Sequence, residues 1–475
     1  MKDGKILRRY WGIVLVTILV PFITYAVIAI RPTFDDWTGM TSPSFEPFWI
    51  KERFMFYGYH WRPFDTMIGY ITGLNPQLLY PAFNHCLVVM GHFINALLIY
   101  RLTIVLDFSR QSANIVTIVF FLLPATMATV LAVDSQNQTY AVSFDLLAFL
   151  CYISKSKYKY LGWILFVFLA AWSKENGLMW ALICPILAYG FERIKRNVLY
   201  KDLVIGIGII AIYALAYLLM PREVVVYEEY IPNSTKVLVS GIKLLLTTFV
   251  TVDYVYLLHE PSRNLLLAII SLLLTLPFVY IVFIRPIYYI FNRRITCIML
   301  SMIIAASPHV FTVFSMMHTY GLLVFVMLLM AISISSYNNI KPVFISLILF
   351  LMSSIVIDIH LWYCSLQSGE TGRRMAQEAV RKTDKPIERI YTVIIDDEYP
   401  KLSSFCVTPS EAFGWGRAAQ LETNYKWPTE FKDTTIARTV SAPEKARQIA
   451  FKVLSTSSAG CVWIVNKEYI DVIKK

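Results

Sequence analysis

The sequence predicts an α-helical polytopic membrane protein with about eleven transmembrane helices and a small C-terminal α/β soluble domain. Three observations carry that expectation. The 475 residues are 57% hydrophobic and 16% charged, with a mean hydropathy of +0.57, whereas soluble domains carry about 25% charge. Apolar runs of the ~20 residues needed to cross a ~30 Å hydrocarbon core recur between Tyr10 and Tyr363. From Leu366 onward the chain turns rich in charge, Ser and Thr. Residues 1–365 therefore form the membrane part, with a first outer loop at 31–80, and residues 366–475 form the soluble domain.

A net charge of +11 does not mark a nucleic-acid binder here, because the Lys and Arg residues cluster beside the apolar runs. The run to Ile30 is too long for a signal-peptide core and lacks a small-residue cleavage site, so it reads as a retained first span. Seven cysteines form no zinc pattern. Cys406 and Cys461 are either a disulfide, if the tail lies in an oxidising compartment, or two separate thiols.

Basic clusters mark cytoplasmic ends and thread the chain. Lys2, Lys5, Arg8 and Arg9 place the N-terminus inside. Spans over about 10–30 and 81–102, one rising to Asp134 and one descending to Lys155, Lys157 and Lys159 then follow. The stretch after them has SKSKYKY before it and ERIKRN after it, and two shorter helices turning at 173–177 keep both basic clusters inside. A seventh span follows near 202–220, with Glu223, Glu228 and Glu229 in the outer loop beyond it. Residues 234–258 are read as re-entrant or interfacial, because a full crossing would place Arg285, Arg293 and Arg294 outside. Four more spans, at about 264–284, 295–306, 319–336 and 342–363, give eleven crossings and an outside tail.

Ionisable residues at membrane depth are costly, about 2.5 to 3.5 kcal/mol each at mid-bilayer, and their persistence marks a site. They gather on the outer side: Asp35 and Asp36, His60 and Arg62, Asp134, Lys174 and Glu175, and His309. Adjacent carboxylates suit a general base or a cation; the alternative is a solvated loop. Arg62 offers a planar fork for phosphate oxygens, or a snorkelling interfacial arginine. Lys174 could hold a phosphate that Glu175 orients, the alternative being a structural ion pair. Asn84, His85, His92 and Asn95 share a helical face, as functional groups or as interhelical hydrogen bonding. Inward loops hold little beyond Lys, Arg and Tyr. In the tail, RIYTVIID, the amphipathic stretch 442–454 and CVWIVN read as strand, helix, strand, with Asp396 in a turn.

The set DDW (35–37), WRPF (61–64), FNHCLVVMGHFIN (83–95), WSKENG (172–177) and ASPHVFTVFSMMHTYG (306–321) resembles the GT-C superfamily of membrane glycosyltransferases. It is most similar to the branch related to protein O-mannosyltransferases, which uses polyprenyl-phosphate sugars. The resemblance implies a GT-C-like membrane domain with Asp35 as leading general base and Asp36 as its partner. It implies Arg62, Lys174, Glu175 and His309 around the donor phosphate, with His60, His85, His92 and Asp134 in acceptor or supporting roles. Here Pro124 is followed by no acid until Asp134, and the segment around His318 lacks an expected arginine. The residues establish no cofactor, and a divalent cation could assist the aspartates.

The partners expected are a polyprenyl-phosphate sugar donor, a glycan, lipid or protein acceptor and the bilayer, without nucleic acid. A bacterial inner membrane with a periplasmic active side is the expected location. A flippase of lipid-linked glycan would need the same apolar body and basic residues, but also internal repeats, and none is evident. A polysaccharide polymerase or ligase is the other alternative.

Overall fold

The computed structural model describes residues 2–33, 36, 61–65, 67–68, 82–219, 234–254, 257, 265–289, 292–312, 314–337, 341–396, 408–423, 426 and 430–475. Asp35, His60, the acidic loop at 223–229 and Cys406 lie outside the described residues.

The helices are α1 (Lys2–Val27), α2 (Ala82–Val105), α3 (Arg110–Phe121), α4 (Pro124–Val130), α5 (Gln136–Tyr152), α6 (Lys159–Ser173) and α7 (Trp180–Gly190). They continue as α8 (Arg196–Leu219), α9 (Ser234–Val250), α10 (Leu265–Val279), α11 (Arg293–Ala306), α12 (Leu323–Ser335) and α13 (Lys341–Thr383). Local chemistry sets several starts. Ser109 accepts the Ser112 N–H ahead of α3, Pro124 opens α4, and Asn292 accepts the N–H groups of Arg294 and Ile295 ahead of α11.

Among the described residues six helices are long and apolar enough to cross a membrane, or up to seven if the α3 and α4 pair, bent by 54°, is one span. The protein is thus a multi-pass membrane protein in which eleven crossings are not reached by length alone. The shortfall has a physical reason. Helices α5, α6, α7 and α12 have 17, 15, 11 and 13 residues, so at ~1.5 Å per residue they span ~16–26 Å. Helices α5, α7 and α12 are mostly buried, α12 along nearly its whole length, whereas α6 exposes Leu161 and Leu165. Lipid covers the outer helices instead, where large apolar side chains of α8 and α10 such as Leu218, Leu219, Leu265 and Leu266 are exposed.

The chain reverses between α6 and α7, where two helices were expected. Lys174 is extended (φ −154°, ψ 133°) and a 3₁₀ turn, Glu175–Met179, follows. A Cβ on Gly177 would lie 2.6 Å from the Ala170 Cβ, so only glycine lets the turn fold back on α6. Further along, Cys184 of α7 meets Trp163 of α6, the pairing of an antiparallel hairpin.

The segment expected to be re-entrant or interfacial forms helix α9. Phe249, near its end, packs on Phe283 (4.4 Å between ring centroids), close to a π-helical turn at Tyr280–Ile284. Thr251 then takes a left-handed φ of 60°, a strained turn for a β-branched residue. Beyond it the Tyr254 hydroxyl reaches Ser271 (3.0 Å), nearer the start of α10.

Helix α13 runs unbroken for 43 residues, so the expected boundary at 366 falls inside a helix rather than a linker. Its last turns belong to the tail, where Met375, Ala376 and Ala379 are core residues. That domain adds β1 (Arg389–Asp396), α14 (Pro409–Phe413), α15 (Arg417–Glu422), β2 (Glu430–Ala437), α16 (Ala442–Thr456), β3 (Cys461–Val465) and β4 (Ile470–Lys474). The sheet order is β2-β1-β3-β4, with the first three strands parallel and β4 antiparallel. One face packs on α13, α14 and α15, the other on α16. Asp396 accepts the Ser410 N–H (2.8 Å), a turn-fixing role, and Cys461 is buried in the core.

A Cβ on Gly372 would sit 2.0 Å from the Ala412 carbonyl oxygen. Gly372→Val is therefore expected to part α13 from α14, destabilise the tail by about 1–3 kcal/mol, and show as faster limited proteolysis after Thr383. The tail also meets the body: Arg31 pairs with Glu422 (3.3 Å), and the Trp362 indole donates to the Ala26 carbonyl (2.9 Å).

Candidate functional site

Four connections, all assigned by charge to the same side, converge at one end of the helical body. The segment after α1 supplies Asp36, which is 4% exposed. One carboxylate oxygen accepts the Asp134 N–H (2.9 Å) and the other the Thr33 N–H (3.2 Å). Asp36 is thereby a staple between the first loop and the turn before α5. Both of its oxygens accept backbone N–H groups.

Arg62 and Glu175 form a two-pronged ion pair. The Arg62 Nε donates at 2.9 and 3.0 Å and Nη2 at 2.7 Å to the carboxylate. The Arg62 fork is thus engaged with Glu175. The pair fastens the first loop to the α6–α7 turn, and Trp61 beside it packs on Trp172 and Tyr213.

Lys174 is different. It is 9% exposed, and its Nζ lies 3.9 Å from the Met317 sulfur with no oxygen partner within hydrogen-bonding distance among the described residues. The Ser135 hydroxyl meets the same sulfur at 3.9 Å. Burial, and after it the positive Arg62, pushes the Lys174 ammonium down to about 8, with Asp134, Glu175 and Asp65 opposing. A buried ammonium without an oxygen partner costs several kcal/mol, so this arrangement favours an incoming anion.

His309 opens a 3₁₀ turn, His309–Phe311. Its Nε2 meets the Asn176 amide nitrogen (3.3 Å), and its ring stacks on His318 (4.7 Å between centroids). Burial, His309 and Lys174 hold His318 well below the usual imidazole range. His318 was not singled out from the sequence as a site residue.

Asp65 is the other residue the sequence reading missed, although it stands in the HWRPFD stretch one turn beyond Arg62. Burial pushes its carboxyl up to about 7, with Arg62 opposing and Asp134 adding to the rise, and it hydrogen-bonds Asn137. Asp134 lends its backbone N–H to Asp36 and its charge to the same cluster.

The two helical histidines make contacts between segments, and the other ring nitrogen of His85, Nδ1, has no partner among the described residues. His85 meets the Ile30 carbonyl (3.2 Å) and so holds the end of the first span. His92 meets the Tyr320 hydroxyl (2.8 Å) and the Phe121 carbonyl (3.2 Å), inside a network in which Asn95 bonds Thr139, Tyr320 and Ser143. That corrects the acceptor role expected of His92: both ring nitrogens serve interhelical contacts. Asp35 and His60 lie outside the described residues.

Among the described residues no group of three or more His, Cys, Asp or Glu side chains is placed to hold a metal ion. At the opposite end the ion pairs are exposed, such as Arg193 with Asp107 (2.5 Å) and Arg293 with Glu192 (2.8 Å). Inward loops therefore hold paired acids as well as Lys, Arg and Tyr. Chemically, the site offers one buried cation, neutral imidazole, a carboxyl with a raised pKa and several amides. Compared with known proteins, the chain matches no family model, no curated protein and no solved structure.

Proposed function

We propose that the chain is a membrane glycosyltransferase of GT-C type. It transfers a sugar from a polyprenyl-phosphate donor to a cell-envelope glycan, lipid or protein acceptor on the outer side of a bacterial inner membrane. In this reading the chain crosses eleven times, with a cytoplasmic N-terminus and a periplasmic tail. The observation that carries the reading is Lys174, a buried ammonium whose one hydrogen-bond contact among the described residues is a thioether, at the end of an apolar body. A phosphodiester on a lipid is an anion that arrives in such a place.

The step is an inverting displacement. Asp35 takes the acceptor hydroxyl proton, the acceptor oxygen bonds to the anomeric carbon, and the bond from that carbon to the phosphate oxygen breaks with its electron pair. Lys174 stabilises the charge growing on the departing phosphate. Asp36, stapled to Thr33 and Asp134, sets where its neighbour Asp35 stands. Asp35→Asn should lower transfer from a purified lipid-phosphate sugar at least 100-fold; wild-type turnover in that variant would refute the assignment.

A pH dependence follows. The donor phosphodiester keeps its charge between about pH 6 and 10, but Lys174 loses its proton as the pH rises through about 8. A group whose pKa is lowered in the unbound site must take up a proton to bind an anion above that pKa. Affinity for the polyprenyl-phosphate sugar, a diester, should be flat below about pH 7 and fall up to tenfold per pH unit above about 8. Isothermal titration across that range checks it.

A further inference from the structure

Buried side-chain amides around Lys174 have polar atoms without hydrogen-bond partners: Gln136 Oε1, Asn137 Oδ1, Asn176 Oδ1 and both ends of the Gln138 amide. Gln138 is fully buried and Asn137 is 2% exposed. Buried polar groups in folded proteins are nearly always paired, and this body obeys the rule close by. Asn95 spends its amide on the Thr139 carbonyl (2.9 Å), the Tyr320 hydroxyl (3.0 Å) and the Ser143 hydroxyl (2.7 Å). Asn95 is saturated in this way, whereas the amides of 136–138 and Asn176 keep unpartnered atoms among the described residues, as Asn84 Oδ1 does elsewhere on α2.

Their placement is collective. Residues 136–138 follow Ser135, whose hydroxyl shares the Met317 sulfur with Lys174. Asn137 bonds Asp65, Asn176 bonds His309, and the Gln138 amide borders Gly321, where an added Cβ would lie 3.7 Å from Nε2. Through these shared neighbours the amides and the cation lie at the same end of the body. An amide supplies both donor and acceptor without charge, which matches a ring of hydroxyl groups. The carboxylates of Asp36, Asp134 and Glu175 nearby repel an anionic sugar.

We propose that Asn137, Gln138 and Asn176 form the subsite for the donor's sugar ring, and that this sugar is a neutral, hydroxyl-rich one rather than a uronic acid. The proposal rests on the lipid-phosphate reading above and deepens it.

The test compares binding of three probes to the full-length protein in nanodiscs: polyprenyl phosphate, polyprenyl-phosphate hexose and polyprenyl-phosphate uronic acid. The wild-type protein should bind the hexose lipid at least tenfold more tightly than the bare lipid phosphate, and the uronic acid no better than the bare lipid. Gln138→Met, of similar volume, and Asn176→Ala, on the half-buried turn, should each bring the hexose-to-bare ratio to within about twofold. If Gln138→Met does not fold, Asn176→Ala decides alone. An unchanged ratio in the variants, a wild-type protein that does not distinguish hexose from bare lipid, or a preference for the uronic acid would overturn the subsite while leaving the lipid-phosphate reading intact. Failure of the wild type to bind any of the three would overturn the reading beneath it.

Discussion

Replacing Lys174 with methionine is expected to weaken binding of polyprenyl phosphate by about 10- to 150-fold and to raise the melting temperature of the protein measured alone. The first effect is the loss of a charge-assisted hydrogen bond, about 1.5–3 kcal/mol. The second follows because the ammonium is 9% exposed and has only the Met317 sulfur beside it. An apolar chain of similar length removes a buried charge whose desolvation outweighs the attraction of Asp134, Glu175 and Asp65 before the anion arrives. Opposite signs for binding and stability separate a ligand cation from a structural one. If Lys174 only held the fold together, the variant would be less stable and the two effects would share a sign. Titration calorimetry and thermal unfolding in the same nanodiscs supply both numbers.

Arg62→Ala is expected to act the other way on stability, lowering it by about 2 kcal/mol. Truncation strands the Glu175 carboxylate after removing both prongs of its partner, and deep burial would make this cost larger. The Glu175 side chain is 33% exposed, so water recovers part of the loss. Arg62→Lys should restore less than half, because an ammonium cannot reproduce the fork. Donor affinity should fall in Arg62→Ala as well, since the pair holds the turn that carries Lys174. Glu175→Gln should reproduce the stability loss in milder form, and thermal unfolding of the three variants side by side checks the order.

Much of the site was legible because charge at membrane depth is rare enough to stand out. Asp36, Arg62, Asp134, Lys174, Glu175 and His309 were all found that way, and the described residues bring them to one end of the body. Their partnerships were not legible. Nothing local in HWRPFD says that Arg62 will spend its fork on Glu175, or that Asp36 will accept N–H groups from Thr33 and Asp134. Asp65 was overlooked because an acid after Arg-Pro-Phe looks like an exposed turn. The unpartnered amides were invisible for another reason: Asn and Gln carry no charge, and QNQ at 136–138 disturbs hydropathy only slightly.

The same logic sorts the fold. Long apolar helices such as α8 and α10 are long enough to cross a membrane, while α7 and α12, though apolar enough to be read as helices from the sequence, are shorter than a full crossing and are enclosed by others. In the tail, β1 and β3 are apolar runs buried between helix layers and were read correctly. The edge strands β2, EFKDTTIA, and β4, IDVIK, are half polar because one side of each faces solvent, and their pattern is too weak to separate from loop. The shared helix α13 hid the domain boundary, since a change in composition need not be a break in the backbone.

The most direct test of the central claim uses proteoliposomes loaded with a polyprenyl-phosphate sugar labelled in the sugar, incubated with envelope acceptor extract. Lipid phosphate and labelled acceptor should appear together, in equal amounts and only with Asp35 intact, while unreacted donor stays in its original leaflet. Donor moved intact to the opposite leaflet without release of lipid phosphate would contradict the account and identify a transporter instead.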